Sequence, residues 1–238
     1  MIACGCEVCT STDIKDKRLR SSIMVRSSDT TLVVDTTPDF RYQMLRLQNK
    51  KLDAIVFTHP HKDHIAGLDD VKAYNYFQKK PMDIYANALT EEALQRDYYY
   101  AFSEQRYAGV PEINLHRIDE SHFKVGDIGI TPILVWHMKM MVFGYRFGDF
   151  SYITDANRID DKEKEKIRGS KILVLNALRK EAHVSHFSLN EAVELALELE
   201  VPEVYFTHIS HQLGKHADVS KQLPPHIHLA YDGLTLHI

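Results

Sequence analysis

The sequence predicts a mixed α/β fold, of the α+β kind, in which helices cover two β-sheets within a single domain spanning residues 1–238. Strand patterns come first in the chain and recur after the helical patterns, an order typical of helices that pack on more than one sheet. A chain of 238 residues is long enough to bury a substantial core. The sequence has no low-complexity tract or linker between the predicted elements, which favours one domain.

The first half of the chain alternates short apolar strands with helical patterns. The predicted elements are strands at 22–25 and 31–35, a helix at 39–49, a strand at 53–58, a helix at 65–78, a strand at 82–86 and a helix that begins at residue 90. The last helix leads into Tyr98-Tyr99-Tyr100, for which we predict half-buried packing or an oligomer face rather than a substrate rim. The pattern assigns no role to the tyrosine-rich segment 98–107 as a whole.

Strands and tight turns predominate after residue 123. The predicted strands are at 129–136, 142–147, 150–154, 171–176, 204–207, 227–231 and 234–238, with helices at 160–168 and 192–199. Ser188 and Glu191 have the spacing of a capping box ahead of the second of these helices. Asp232-Gly233 predicts a hairpin between the last two strands.

The segment from Thr58 to His64 combines three imidazoles and a carboxylate directly after an apolar strand. His59 and His61 are two residues apart and face the same side of an extended chain, while Asp63 and His64 can reach a second centre. Imidazole nitrogen and carboxylate oxygen suit zinc, manganese or iron(II) better than calcium or magnesium. The alternative is a polar turn with an accidental run of histidines. The spacing favours a metal site.

The same arrangement recurs along the chain, because several apolar strands are followed at once by a histidine or an aspartate. The residues concerned are His59, His137, Asp155 and His208. Loops at one edge of a rigid sheet can bring such side chains together, which is how active sites are commonly built.

The three cysteines, Cys4, Cys6 and Cys9, lie in one short segment near the amino terminus. An odd number of closely spaced cysteines makes a poor disulfide framework but a good set of three thiolate ligands that lacks a fourth. Free thiols at a frayed terminus are the other interpretation. The residues alone leave both open.

Composition limits the classes of partner. The formal net charge is -4 and no block of lysine and arginine stands out, so electrostatics give no positive case for a nucleic-acid surface. No apolar stretch is long enough to span a membrane, and the amino terminus lacks the pattern of a secretion signal. We therefore expect a cytoplasmic protein that does not bind a membrane, with a symmetric homodimer as the default assembly.

Seven residues in order along nearly the whole chain resemble the ligands of the metallo-β-lactamase superfamily of binuclear hydrolases. They are His59, His61, Asp63, His64, His137, Asp155 and His208. The resemblance implies a four-layer αββα sandwich and two divalent metals, zinc or manganese. It also implies one metal on His59, His61 and His137, a second on Asp63, His64 and His208, and Asp155 bridging the two.

The cysteine segment resembles the phosphoribosyl 1,2-cyclic phosphate phosphodiesterase branch of that superfamily. In this branch a structural zinc is completed by a histidine three residues after the last active-site histidine, and His211 has that spacing here. The resemblance thus implies a closed Cys3His zinc site formed by Cys4, Cys6, Cys9 and His211. Relatives usually have a strand and a glycine-rich loop ahead of the cysteines, so we expect either a truncated start or another strand at that edge.

His186 resembles the non-ligand histidine that phosphodiesterases of this superfamily carry before a helix. A histidine can protonate a departing alkoxide and bind a phosphate oxygen meanwhile. We assign His186 and the ligand Asp63 as catalytic residues. His183 competes for the role of His186, and a surface histidine near a helix start is the alternative for His186 itself.

The resemblance implies a phosphodiesterase that cleaves a small cyclic or nucleotide-like phosphodiester by a metal-bridging hydroxide, with His186 assisting the leaving group. A tRNA 3′-processing endoribonuclease and a lactone or thioester hydrolase share these ligands and are the alternative enzymes. The non-enzyme alternative is an accessory or binding protein of cofactor biosynthesis, similar to a pyrroloquinoline-quinone biosynthesis protein. Such proteins tend to lose ligands, whereas all seven are present here.

Overall fold

The computed structural model describes residues 1–103 and 109–238, so the tyrosine-rich segment 98–107 lies partly outside the described residues. The chain divides into two compact units. We call Arg20–Ile130 the first sheet unit, and Met1–Leu19 together with Thr131–Ile238 the second sheet unit. The prediction of one domain over 1–238 stays a prediction.

The first sheet unit contains a five-stranded sheet in the order β1-β2-β3-β4-β5, in which only β1 and β2 pair antiparallel. Its strands are β1 (Ile23–Arg26), β2 (Thr31–Val34), β3 (Ala54–Val56), β4 (Met82–Ala86) and β5 (Ile113–Arg117). Its helices are α1 (Phe40–Leu47), α2 (Lys62–Ile65), α3 (Lys72–Gln78), α4 (Ala88–Asp97) and α5 (Tyr99–Phe102), with a 3-10 turn at Leu68–Val71. A short strand β6 (Phe123–Val125) pairs with the first residues of the strand that follows it.

The core of this unit forms where one face of the sheet meets the helices. Val33, Ile55 and Ile84 lie side by side in register on neighbouring strands and are fully buried. They belong to one apolar cluster with Phe40 of α1 and Leu94 of α4. Residues of β2 and β3 are buried throughout, which explains their continuous apolar sequence and is typical of parallel strands.

Gly67 interrupts the helix that we predicted at 65–78, and the structure has α2, the 3-10 turn and α3 in its place. A Cβ at Gly67 would lie 2.1 Å from the Thr37 carbonyl oxygen and 2.8 Å from Phe40 Cβ. The Gly67 N–H donates to the Thr36 carbonyl oxygen at 2.8 Å. The backbone is therefore in direct contact with the segment after β2, and this contact ends the first helical turn.

Gly67→Ala is expected to destabilise the fold by about 1–3 kcal/mol, because the added methyl group meets backbone atoms that cannot move aside. The measurement is the free energy of unfolding from urea titrations. Gly5→Ala serves as the control, since a Cβ there meets no heavy atom within 4 Å. Equal stability of the two variants would contradict the proposed close contact.

The second sheet unit contains a mixed sheet in the order β10-β7-β8-β9-β11-β12-β13. Its strands are β7 (Ile128–His137, which pairs with β6 through its first residues), β8 (Met140–Phe147), β9 (Phe150–Ile153), β10 (Arg158–Ile159), β11 (Ile172–Asn176), β12 (Glu203–Thr207) and β13 (Ile227–Leu229). Its helices are α6 (Asp161–Ile167), α7 (Leu189–Leu199) and α8 (His216–Ser220), with a 3-10 turn at Ile14–Asp16. The pairs β9–β11, β11–β12 and β12–β13 are parallel. The pairs β10–β7, β7–β8 and β8–β9 are antiparallel.

Helix α7 begins with the predicted capping box. The Ser188 side chain accepts from the Glu191 N–H, and Glu191 Oε2 accepts from the Ser188 N–H at 2.8 Å. The helix then buries Ala192, Leu195 and Leu199 against the sheet. The cap fixes where the helix starts and therefore holds the end of the segment that contains His186.

The predicted secondary structure is wrong at the carboxyl terminus and lacks one strand of the first sheet. Residues 234–238 form no strand, because β13 pairs in parallel with β12 and Asp232 Oδ2 instead accepts the Leu19 N–H at 3.1 Å. Strand β5 was not predicted, although it carries the alternating pattern of a half-exposed strand. In the part of the chain that the structure describes, no helix is long and apolar enough to cross a membrane.

Candidate metal centres

The histidine cluster of the first sheet unit follows the end of β3. His59 is fully buried, and its Nε2 lies 3.1 Å from Nδ1 of His61. The ring centroids of His59 and His64 are 4.2 Å apart. His61 keeps an extended backbone and α2 starts at the next residue, which turns His64 back towards His59. Neutral imidazole nitrogens gathered at this distance form a donor set that fits a transition-metal cation.

Asp35, which sequence reasoning missed, orients two of these histidines. Its Oδ1 accepts the Thr58 N–H at 2.8 Å, and its Oδ2 accepts the Thr58 hydroxyl at 2.8 Å and lies 2.7 Å from His64 Nδ1. Because the Thr58 hydroxyl donates to Asp35, it accepts from His59 Nδ1 at 2.9 Å. Both histidines thus carry their proton on Nδ1 and offer Nε2, the arrangement that outer-shell carboxylates impose on metal-binding histidines.

The Asp35 carboxylate is fully buried and lies immediately after β2 in a left-handed conformation, with φ of 66°. Burial raises the pKa of the Asp35 carboxyl, while His64 and the hydrogen bonds from Thr58 oppose that rise. The sequence feature that could have identified Asp35 is its position, because it is a carboxylate at the carboxyl end of a buried strand.

Asp63 lies in the first turn of α2, at the side of the cluster. Its Oδ2 is 3.8 Å from His64 Nε2 and 3.5 Å from Arg20 Nη1. The Asp63 side chain is half-buried. It therefore offers a carboxylate oxygen on the same side as the nitrogen that His64 presents.

Asp155 is the centre of the cluster in the second sheet unit. It is 2% exposed, and each of its oxygens faces a different histidine. Oδ1 lies 3.1 Å from His208 Nε2, and Oδ2 lies 3.3 Å from His186 Nε2. His137, at the end of β7, packs its ring 4.6 Å from that of His186. Both Asp155 and His208 follow strands and have φ of 53°, a costly conformation that points each side chain out of the strand direction.

Asn176, the last residue of β11, holds the loops of this second cluster. Its side chain accepts the Ala156 N–H and donates to the Ala156 carbonyl, both at 2.9 Å. The same carbonyl accepts the Phe187 N–H at 2.8 Å. The backbone of Ala156, which follows Asp155, is therefore hydrogen-bonded both to Asn176 and to Phe187, the residue that follows His186. Sequence reasoning missed Asn176, although it too is a polar residue at a strand end.

His186 is 8% exposed, so the alternative of a surface histidine is wrong. Its Nδ1 lies 3.0 Å from Ser185 Oγ and 3.3 Å from His183 Nδ1. Burial is the main reason that the pKa of His183 is lowered. Of the two candidates, it is His186 whose Nε2 contacts Asp155. Asp155, His186 and His208 together offer ligand atoms within 4.8 Å of one another.

The three cysteines meet His211 in the second sheet unit. Cys4, Cys6, Cys9 and His211 each offer one ligand atom, and these atoms all lie within 4.8 Å of one another. The Sγ atoms of Cys4 and Cys6 are 3.5 Å and 3.3 Å from His211 Nδ1. A backbone hydrogen bond from Cys9, together with His211, lowers the pKa of Cys6 to about 6. Three thiols and one imidazole with this spacing fit a tetrahedral zinc site.

The predicted ligands and His186, the predicted catalytic histidine, thus form one cluster within each unit. The first sheet unit groups His59, His61, Asp63 and His64, and the second groups His137, Asp155, His186 and His208. A family model described as the beta-lactamase superfamily domain matches residues 30–209. The chain belongs to the beta-lactamase superfamily. Superfamily membership and the mixed α/β fold with two sheets and helices are confirmed predictions.

Two solved structures resemble the chain over its whole length. A crystal structure described as that of a new diphosphatase from the PhnP family is 40% identical with a TM-score of 0.93, covering 100% of this chain and 91% of that one. Zn²⁺-bound PqqB from Methylobacterium extorquens has a TM-score of 0.76 at 19% identity, covering 100% of this chain and 95% of that chain, and indicates the fold alone.

An octanoyltransferase from Porphyromonas gingivalis is 32% identical over 98% of this chain. The match covers 48% of that protein, so the chain spans about half the length of this curated relative. The alignment covers nearly all of this chain, but the name belongs to a protein about twice as long.

Proposed function

We propose that the chain is a binuclear metal-dependent phosphodiesterase that acts on small cyclic or nucleotide-like phosphodiesters, or on a diphosphate linkage. The observation that carries the proposal is Asp155, a buried carboxylate with one histidine nitrogen on each oxygen. A lone buried carboxylate is costly unless cations compensate it. The similarity to a protein described as a PhnP-family diphosphatase supports phosphorus rather than carbon as the reacting centre.

The order of ligands in the superfamily supports the assignment of the metals. His59, His61 and His137 would hold the first cation; Asp63, His64 and His208 would hold the second; Asp155 would be shared between them. Zinc and manganese both suit this donor set. Two such cations, when bound, lower the pKa of a water molecule and stabilise negative charge on phosphoryl oxygens.

Residues of the chain orient the metal-binding histidines and supply the proton for the leaving group. Asp35 and Thr58 keep the protons of His64 and His59 on Nδ1, so that Nε2 of each is available as a ligand. His186 is held by Ser185 on Nδ1 and presents Nε2 towards Asp155. In this role it donates a proton to the departing alkoxide at Nε2 and contacts a phosphate oxygen before that.

Turnover of three substrates by protein loaded with zinc or manganese tests the proposal. They are bis-p-nitrophenyl phosphate, a 2′,3′-cyclic nucleotide and a dinucleoside diphosphate, and at least one should be cleaved in a metal-dependent manner. No turnover of any of them, with metal bound, would refute it. Hydrolysis of an octanoyl thioester alone would favour the carbonyl-directed alternative, and steeply salt-dependent binding of precursor tRNA would favour the endoribonuclease.

His186→Gln is expected to lower kcat by roughly 100-fold or more on a diester with an alkyl leaving group, because alkoxide departure needs a proton. The loss should be much smaller with bis-p-nitrophenyl phosphate, whose phenolate leaves readily without one. His183→Gln is the matched control and should change either rate little. A fall in metal content of His186→Gln would instead identify His186 as a ligand.

Cys9→Ser is expected to remove about one zinc per chain while the other two metals remain, because a closed zinc site needs all four ligands. Metal analysis of protein purified without added metal measures this, against about three metals per chain in the unaltered protein. Hydrogen exchange in residues 1–19 should accelerate. Unchanged metal content and exchange would show that the cysteines are free thiols.

A further inference from the structure

Two cationic side chains, those of Lys62 and Arg20, lie close to Asp63 in the sequence or in space, and each pairs with a different carboxylate. Lys62 Nζ lies 2.6 Å from Asp97 Oδ2, a carboxylate that is only 15% exposed. Arg20 Nη1 lies 3.5 Å from Asp63 Oδ2, and among the described residues this is the ion pair that Arg20 makes. Lys62 thus pairs with a carboxylate outside the histidine cluster, which it shares with Arg96, whereas Arg20 pairs with a residue of the proposed metal site.

The backbone of Arg20 is fixed although its side chain is open to solvent. Its N–H donates to Asp39 Oδ2 at 2.8 Å, and its carbonyl accepts Gln43 Nε2 at 2.9 Å. Gln43 is itself buried and accepts the Thr37 hydroxyl. The Arg20 side chain remains 59% exposed. A rigid backbone beneath an accessible charged group is the arrangement that a ligand-recognising residue requires.

The proposed function changes the balance of charge at Asp63. Once Asp63 is a metal ligand, its negative charge is shared with the cation, and its attraction for Arg20 weakens. The ion pair is long and partly exposed, so little free energy is lost when it opens. The guanidinium then presents a planar fork of N–H donors, whose geometry matches the oxygens of a phosphoryl group.

We propose that Arg20 binds a non-bridging phosphoryl oxygen of the substrate beside the histidine cluster, and so forms a phosphate subsite. The inference rests on the proposed function, since it places the phosphoryl group next to Asp63 and His64. Arg20 is a binding residue in this assignment. A purely structural role, in which Arg20 holds Asp63 in place for the metal, is the alternative that the experiment must exclude.

The test compares Arg20→Gln with Arg41→Gln in metal-loaded protein, using inorganic phosphate as the probe in calorimetric titrations at low ionic strength. Arg41 is a matched control, because it is exposed and pairs with Asp70 at 3.6 Å in the same unit. Arg20→Gln should bind phosphate about 10-fold more weakly, the loss of one charged hydrogen-bonding partner. Arg41→Gln should bind as the unaltered protein does, and Arg20→Lys should lie between the two.

Metal analysis of the same samples separates binding from structure. Arg20→Gln should keep its full metal content, and its KM for a phosphodiester should rise more than its kcat falls. Loss of metal from Arg20→Gln, or phosphate affinity equal to that of Arg41→Gln, overturns the assignment. So does an unaltered protein that holds its metals and binds no phosphate. Phosphate binding that depends on Arg20, without turnover of any diester, would contradict the proposed function and leave the subsite standing.

Discussion

Asp155→Asn is expected to lower turnover of the phosphodiester substrates by roughly 1,000-fold or more, about 4 kcal/mol of transition-state stabilisation. The amide keeps the shape of the side chain but removes its charge. It also replaces one oxygen with an NH2 group that faces a histidine nitrogen 3.1–3.3 Å away. A cation bound at that position would therefore lose an anionic oxygen ligand and face an NH2 group, which cannot coordinate it. Metal content should fall together with activity.

The control for this variant is Asp161→Asn, which makes the same exchange on a 96% exposed side chain of α6 in the same unit. It should retain full activity and metal. Metal analysis and initial rates on the two proteins measure the difference. Retention of both metals and of the normal rate in Asp155→Asn would eliminate Asp155 as the shared ligand.

Asp35→Asn is expected to weaken metal binding by roughly 10- to 100-fold, the usual loss when an outer-shell partner of a metal-binding histidine is removed. The amide can still accept the Thr58 N–H, but its NH2 group then faces His64 Nδ1. His64 is driven to accept at Nδ1 and to carry its proton on Nε2, the atom it offers to a cation. Asparagine tolerates the left-handed backbone at this position, so the local fold should persist.

Competition with a chelator measures the affinity of Asp35→Asn, and nitrogen NMR of the metal-free protein reports the His64 tautomer. Asp29→Asn, an exposed aspartate of the same unit, is the control and should match the unaltered protein in both. An unchanged tautomer with unchanged affinity would show that Asp35 does not direct His64.

The sequence indicated which histidines and aspartates lie close together better than it indicated the residues that orient them. His59, His61 and His64 could be found because their spacing is local and their chemistry is distinctive. Asp35 acts on Thr58 and His64 only because β2 lies beside β3 in parallel, with Val34 opposite Val56. That register is a property of the folded sheet. No local pattern states it, so the role of Asp35 could not be predicted from the sequence.

Asn176 and the wrong carboxyl-terminal hairpin illustrate the same limit. Asn176 holds Ala156, twenty residues away, through two side-chain hydrogen bonds. Asp232-Gly233 is a strong local turn signal, yet Asp232 bonds to Leu19 from the other end of the chain. Tertiary partners of this kind override short-range preferences. Strand β11 and helix α7, by contrast, were predicted because their burial pattern and cap are local.

Asp35, Asp155 and His208 each follow a strand in a left-handed conformation, in which glycine would be the least strained residue. The left-handed backbone at each position therefore costs conformational free energy. The chain keeps that strain because each position needs a carboxylate or imidazole side chain, which glycine lacks. A sequence optimised only to fold would place glycine or asparagine there. Variants selected only for a higher melting temperature should accordingly carry glycine or asparagine at these three positions and bind less metal. Stability screens on this protein need an independent measure of metal content.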